Sequence, residues 1–178
     1  MAASDVDWAA FRELALEGEN LYIERKRQLP EPEALGAVVA SMANMLGGWL
    51  VLGVTDSKRE LVGCDFSRTA DLQSHIGNLL RGAVDPVPPF RAERVQGDDG
   101  LEFGFIRVFS ASRPVLVRGK GALYTRDDGG KVPVSDHRVL LDLARRGQEA
   151  EDEARTRAEK NNRCTGRAAR ERKPRSQP

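Results

Sequence analysis

The chain has 178 residues, 28 Lys+Arg against 27 Asp+Glu and a formal net charge of +1, with 40% hydrophobic and 31% charged residues, which fits one soluble globular domain, with or without a tail. No apolar run reaches the roughly 18 residues of a transmembrane helix, and the acidic start MAASDVDWAAF lacks the basic-then-apolar layout of a secretory signal. Two cysteines, Cys64 and Cys164, exclude a disulfide framework and a four-cysteine zinc cluster, so a reducing cytoplasm is the expected compartment.

Ser4 to Glu17 is predicted as a helix. Ser4 and Asp7 give an S-x-x-D cap, Gly18 is a natural stop, and Trp8, Phe11, Leu14 and Ala15 share one face. Leu21–Arg25 alternates as a short strand. Pro30 and Pro32 open a second helix with the stripe Leu35, Val38, Val39, Met42 and Leu46, ended by Gly47-Gly48. Trp49–Val54 is apolar on both faces, the pattern of a central strand covered on both sides, and Glu60–Gly63 is expected as its short hairpin partner. Thr69–Val84 is a third helix with Leu72, Ile76, Leu79 and Leu80 inward, broken by Asp85-Pro86 and Pro88-Pro89. Phe90–Val95 and Leu101–Phe109 flank a GDDG turn and form a hairpin. Val115–Arg118 and Leu123–Arg126 are strands around Gly119-Lys120-Gly121. Ser135–Arg145 is a last helix capped by Ser135, with Val139, Leu140 and Leu143 inward.

Together these give an α+β fold: a mixed, largely antiparallel sheet packed with about four helices. Residues 1–146 are expected to form the domain and 147–178 a charged, disordered tail, basic from 161. Residues 161–178 hold six basic side chains against Glu171 alone, a net of +5, which leaves 22 basic and 26 acidic groups and a net of −4 before them. The tail reads equally as a polyanion-binding arm or as a solubilising extension.

The chemistry is concentrated in the first third. Glu24 and Lys26 stand i, i+2 on a strand and point to the same side. A carboxylate beside a lysine suits metal-assisted phosphodiester cleavage, but taken alone such a pair on a strand is far more often an exposed cross-strand charge pair. Glu19 lies five residues before Glu24, so one site needs a turn or bulge between them. Asp56 follows the apolar strand, a common place for a functional carboxylate, while Asp-Ser-Lys is also ordinary turn chemistry. Asn44 with Gly47-Gly48 reads locally as helix termination. There is no Walker A motif, no G-x-G-x-x-G, and no Ser/His/Asp or Cys/His nucleophile set. His75 and His137 read as surface or packing residues, and Cys64 as a small hydrophobe.

Read as one string, ENLYIERKRQLP, ALGAVVASMANMLGGWLVLGVTDSKRELVGCD and VFSASRPVLVRGKGALYTRDDG resemble the Schlafen AlbA_2 domain of Schlafen proteins and their prokaryotic relatives. Glu19, Glu24 and Lys26 fit the family's E-x4-E-x-K start. Ala43, Asn44, Gly47, Gly48, Leu50, Gly53, Val54, Asp56 and Gly63 fit its central block, and Pro114, Tyr124 and Arg126 a later P…Y-x-R element. The resemblance implies an α+β fold and binding of RNA or DNA. In its ribonuclease-active members three carboxylates form a metal-dependent site, and they match Glu19, Glu24 and Asp56. Two positions depart from the pattern: Arg25 stands where phenylalanine is usual, and Met42 where an aromatic is usual. Animal relatives carry two such lobes and a zinc site. This chain has one lobe and no zinc set, and a homodimer could rebuild the two-lobed valley.

The expected function is therefore nucleic-acid binding without membrane association, with Mg²⁺- or Mn²⁺-dependent endoribonuclease activity at Glu19, Glu24 and Asp56, assisted by Lys26. Lys26, Lys58, Arg59, Arg118, Lys120 and Arg126 would contact phosphates. The rival is a non-catalytic RNA- or DNA-binding regulatory module. A third reading makes the carboxylates structural ion pairs of a protein-interaction or nucleotide-sensing domain.

Overall fold

A computed structural model describes residues 7–17, 20–56, 58–127, 130–149 and 152–153. The first helix, α1, is Trp8–Leu16, and Asp7 caps it by accepting the Ala10 N–H at 2.9 Å. The helix thus starts later than the expected Ser4, which lies outside the described residues, as does Gly18. Trp8 and Phe11 stack against each other and on Phe103, and the Trp8 indole donates to Asp98 in the GDDG turn at 2.9 Å.

Strand β1 is Ile23–Lys26, α2 is Pro32–Ala43 and β2 is Gly48–Leu52. β1 and β2 are parallel, so α2 is the crossover between them. Helix α3, Leu72–Ala83, is capped by Asp71 and leads into β3, Val84–Asp85. The hairpin β4, Phe90–Gln96, and β5, Glu102–Val108, follows as expected. Then come β6, Leu116–Val117, β7, Ala122–Asp127, and β8, Gly130–Pro133, and a last helix α4 over 137–149.

The strands form two four-stranded sheets, β1-β2-β5-β4 and β3-β6-β7-β8, and β1–β2 is the single parallel pair among the described strands. α2 packs against α3 and against strands of both sheets, which explains why Leu35 to Ala43 are all buried rather than one stripe. β2 is covered on both faces, as its sequence requires. Leu50 and Leu52 join the large core with α2 and α3, while Val51 joins a second core with Phe11, Ile23, Val95, Phe103 and Phe105.

Several boundaries differ from expectation for identifiable reasons. α2 ends at Ala43 because Asn44 turns its side chain away to other segments, leaving Leu46 72% exposed. Glu60–Gly63 makes a single bridge, Leu61 with Val54, rather than a strand. In α4 only Leu143 of the expected trio is buried, and Leu140 is exposed. α4 runs past 146, to 149, and 152–153 are helical too, while the basic stretch 161–178 lies outside the described residues. Among the described residues, no helix is long and apolar enough to cross a membrane.

The Gly47-Gly48 step has two separate requirements. Gly47 sits at φ +86°, and a Cβ there would stand 2.5 Å from the Val108 carbonyl oxygen. At Gly48 it would stand 2.7 Å from that of Tyr22. Gly47→Ala is therefore expected to lower the unfolding free energy by at least roughly 2 kcal/mol, read from a urea titration; an unchanged midpoint would contradict the geometry.

Candidate functional site

β1 is an edge strand, and its alternation sends Ile23 and Arg25 to one face and Glu24 and Lys26 to the other. On the latter face Glu24 is the hub. Its Oε1 lies 2.8 Å from Lys26 Nζ, and its Oε2 accepts from an Arg126 Nη2 at 2.8 Å. The Arg126 side chain is only 3% exposed, and its Nε donates to the Leu21 carbonyl at 2.9 Å. Lys26 reaches a second carboxylate, Asp56 Oδ2, at 3.9 Å, and Asp56 is 59% exposed.

Burial alone pushes the Glu24 carboxyl upward. Hydrogen bonds from Lys26 and Arg126, and then their charges, outweigh it and hold Glu24 below its ordinary value. Glu24 is therefore an ionised carboxylate with a cation at each oxygen.

The loop after β2 brings Asp56 to this cluster. The Gly53 and Val54 N–H groups donate to the Lys26 carbonyl, and Thr55 and Glu60 close the turn through the Thr55 N–H to Glu60 carbonyl bond and the Glu60 N–H to Thr55 hydroxyl bond. Asp56 is thus both a turn residue and a neighbour of Lys26. The same turn carries Lys58, which faces Glu60 at 3.9 Å, and Arg59, which donates to the Leu16 carbonyl at 3.3 Å. Arg118 and Lys120 sit elsewhere, paired with Asp85 at 3.4 Å and Glu33 at 3.0 Å. Lys120 lies in the turn before β7, whereas Arg126 lies near the far end of that strand. The six expected phosphate contacts thus form two groups.

Glu19 lies outside the described residues. The bend that a shared site requires is nevertheless present: Leu21 and Tyr22 form a turn, with Asn20 bridged to Ile23. Among the described residues, no three metal-binding side chains come together. Of the three expected carboxylates the described residues include Glu24 and Asp56, and an ion at Glu24 Oε1 would compete with the Lys26 ammonium.

Asn44 has a part that its sequence context conceals. Its Nδ2 donates to the carbonyls of Val115 at 3.0 Å and Tyr124 at 2.9 Å, and its Oδ1 accepts the Val115 N–H at 2.8 Å. Arg146 donates to the Asn44 carbonyl at 2.8 Å, tying α4 to the same point. Asn44 thereby fixes β7, and β7 delivers Arg126 to Glu24. Pieces of sequence up to 102 residues apart, E-x-K, A-N and Y-x-R, thus meet in one connected cluster.

The model of the family described as "Schlafen, AlbA_2" matches residues 19–135. The chain belongs to the Schlafen AlbA_2 family. The Corynebacterium diphtheriae protein DIP2311 is a structural neighbour of this AlbA_2 domain at 23% identity and a TM-score of 0.48, over 65% of this chain and 25% of that one. The N-terminal domain of a Nitrosomonas europaea protein, described as ATP-dependent DNA helicase RecG-related, matches at 20% identity and a TM-score of 0.50, over 72% of this chain and 89% of that one. That second likeness shows a shared fold. No curated protein matches this chain at a significant level.

Arg25, one of the two departures from the expected pattern, has a clear place. It is among the largest fully buried side chains, on the face of β1 toward α1. Its Nε donates to the Ala15 carbonyl at 2.8 Å, and its Nη2 to that of Glu17. An arginine here satisfies the carbonyls that the C-terminus of α1 leaves open and meets the negative end of the helix dipole. The signal in the sequence was the absence of a basic residue in the last turn of α1 itself. The Cys64 thiol is buried, which pushes it upward, and donates to Gln28 at 3.3 Å, in keeping with the small-hydrophobe reading.

Proposed function

We propose that this AlbA_2 domain binds nucleic acid in the cytoplasm, at the edge of β1. The observation that carries this reading is the meeting of Glu24, Lys26 and Asp56 at that edge, with Lys58 and Arg59 on the adjoining turn. Lys26 is one-third exposed, so an incoming phosphate can reach its ammonium in competition with Glu24 and Asp56. Family membership gives independent support. A second copy of the chain could supply a facing lobe.

Metal-dependent RNA cleavage is the finer reading. Glu19, Glu24 and Asp56 would hold Mg²⁺ or Mn²⁺, which would polarise a phosphate oxygen and lower the pKa of a bound water. Lys26 and Arg126 would then keep Glu24 ionised and fix its direction. The non-catalytic reading is favoured by one observation: both Glu24 oxygens are already engaged by cations.

One experiment separates these readings. Labelled RNA and DNA strands are titrated with the full chain over a range of salt, with Mg²⁺, Mn²⁺ or EDTA, and the strands are examined for breaks. Binding should weaken steeply with salt, and Lys26→Ala should reduce the logarithmic salt slope by somewhat less than 1. Cleavage that needs metal and disappears in Asp56→Asn supports the enzyme. Binding that persists in EDTA and in Asp56→Asn, without cleavage, supports the regulatory module. No binding of either polymer at moderate salt removes both.

A further inference from the structure

Another assembly of side chains lies away from the Glu24 cluster, where β2 begins and β5 ends. The strand register places Trp49, Arg107 and Arg91 directly opposite one another in a row across β2, β5 and β4. α1 covers the same face farther along, over Val51, Val95, Phe103 and Phe105, but Arg107 remains exposed. The Arg107 guanidinium lies over two rings, 5.0 Å from the Trp49 centroid and 4.8 Å from that of Phe109. Phe109 and Tyr22 are 39% and 43% exposed, and they line one open hollow with Trp49, Arg107 and Ser110.

Two features of this hollow are unfavourable while it is bare. Arg91 and Arg107 are like charges directly opposite on neighbouring strands, an arrangement that destabilises a sheet. Arg91 has Glu93 as a partner, but Arg107 has no carboxylate partner among the described residues. Aromatic rings beside it are also left to water. A ligand that is anionic and aromatic at once relieves both, and a nucleotide with an unpaired base has those two properties. Its phosphate would answer Arg107 and Arg91, and its base would lie on Phe109 or Tyr22. Aromatic and guanidinium planes accept any base, because every base has a π face. A duplex keeps those faces inside its own stack.

We propose that Trp49, Arg107, Phe109 and Tyr22 form a stacking platform for the unpaired bases of a single-stranded polynucleotide. This rests on the nucleic-acid reading above and adds that the strand must be single. It also assigns a purpose to Arg107, Phe109 and Tyr22, which neither the Glu24 cluster nor the core uses, beside Trp49 at the core edge.

The test compares three fluorescent ligands by anisotropy with the full chain: a single strand, the same strand with abasic sites in place of bases, and a perfect duplex. The wild type should bind the intact strand on the order of tenfold more tightly than the abasic one. Phe109→Ala should erase most of that preference while leaving duplex affinity within about twofold, and Arg107→Ala should erase it with some loss for every ligand, because its guanidinium also answers phosphate. Both positions are exposed, so melting curves should confirm intact folds. Trp49→Ala is the stronger variant but also loosens the core edge. Equal binding of intact and abasic strands by the wild type overturns the platform and leaves the general nucleic-acid reading standing. Absence of all binding overturns both. Self-association that Phe109→Ala abolishes, without any base preference, assigns the face to a second copy of the chain and overturns the platform.

Discussion

Asn44→Ala is expected to lower the unfolding free energy by about 3 kcal/mol or more, and the melting temperature by roughly 10 °C. Asn44 is buried and makes three side-chain hydrogen bonds to backbone groups at Val115 and Tyr124. Alanine leaves two carbonyls and one N–H without their partner in a place where water does not readily replace it. Each such group costs about 1–3 kcal/mol, although some relaxation will recover part. Asn44→Asp provides a control for side-chain size. It could still accept the Val115 N–H but would set a carboxylate against two carbonyls, so it should be at least as destabilising. A loss below about 1 kcal/mol for Asn44→Ala, measured by urea denaturation, would show that β7 is held by other contacts. Because β7 carries Arg126, nucleic-acid binding should weaken in the same variants even at temperatures where they stay folded.

Glu24→Ala should cost a similar amount, about 3 kcal/mol, for a different reason. It leaves the Arg126 charge buried with no carboxylate to compensate it. Lys26 can turn to solvent, so its share of the loss is small. Replacing both partners, as Glu24→Leu with Arg126→Met, should restore much of the stability, because the uncompensated charge is then gone. The pair also sets a pH dependence. The folded-state pKa of Glu24 lies below its ordinary 4.5, so its stabilisation is fully present above about pH 4.5 and is lost as pH falls through the lower folded value. The margin of the wild type over Glu24→Gln should accordingly be constant near neutrality and shrink in acid. A margin that grows on acidification would reverse the assigned direction.

The sequence was informative wherever a residue's role is local or periodic. The apolar run Trp49–Val54 is a central strand because alternate side chains each found a core, Leu50 and Leu52 on one side and Val51 on the other. The GDDG hairpin and the helix of Leu72, Ile76 and Leu80 followed from turn chemistry and spacing. β8 escaped notice because GKVP is short, half-exposed and ends in a proline, which is tolerated at a sheet margin but gives no strand signal. Leu46 fitted a helical stripe that the chain abandons three residues earlier, because the Asn44 side chain gains more from distant carbonyls than the helix gains from another turn.

The candidate site divides along the same line. The family resemblance selected Glu24, Lys26, Asp56, Asn44 and Arg126, and the alternation of β1 put Glu24 and Lys26 on one face. Their partners could not be read from spacing, since Glu24 meets Arg126 across 102 positions and Asn44 meets Tyr124 across 80. The row of Trp49, Arg107 and Arg91 depends on the register of three strands, which a one-residue slip would have dispersed to opposite faces. By itself, then, the sequence determined the fold class and the covered central strand, because these rest on periodicity and local chemistry, and its resemblance to the family named the polar residues. Only the tertiary structure decided which charges neutralise one another and which remain exposed, because those pairings follow from long-range packing of α2 between two sheets.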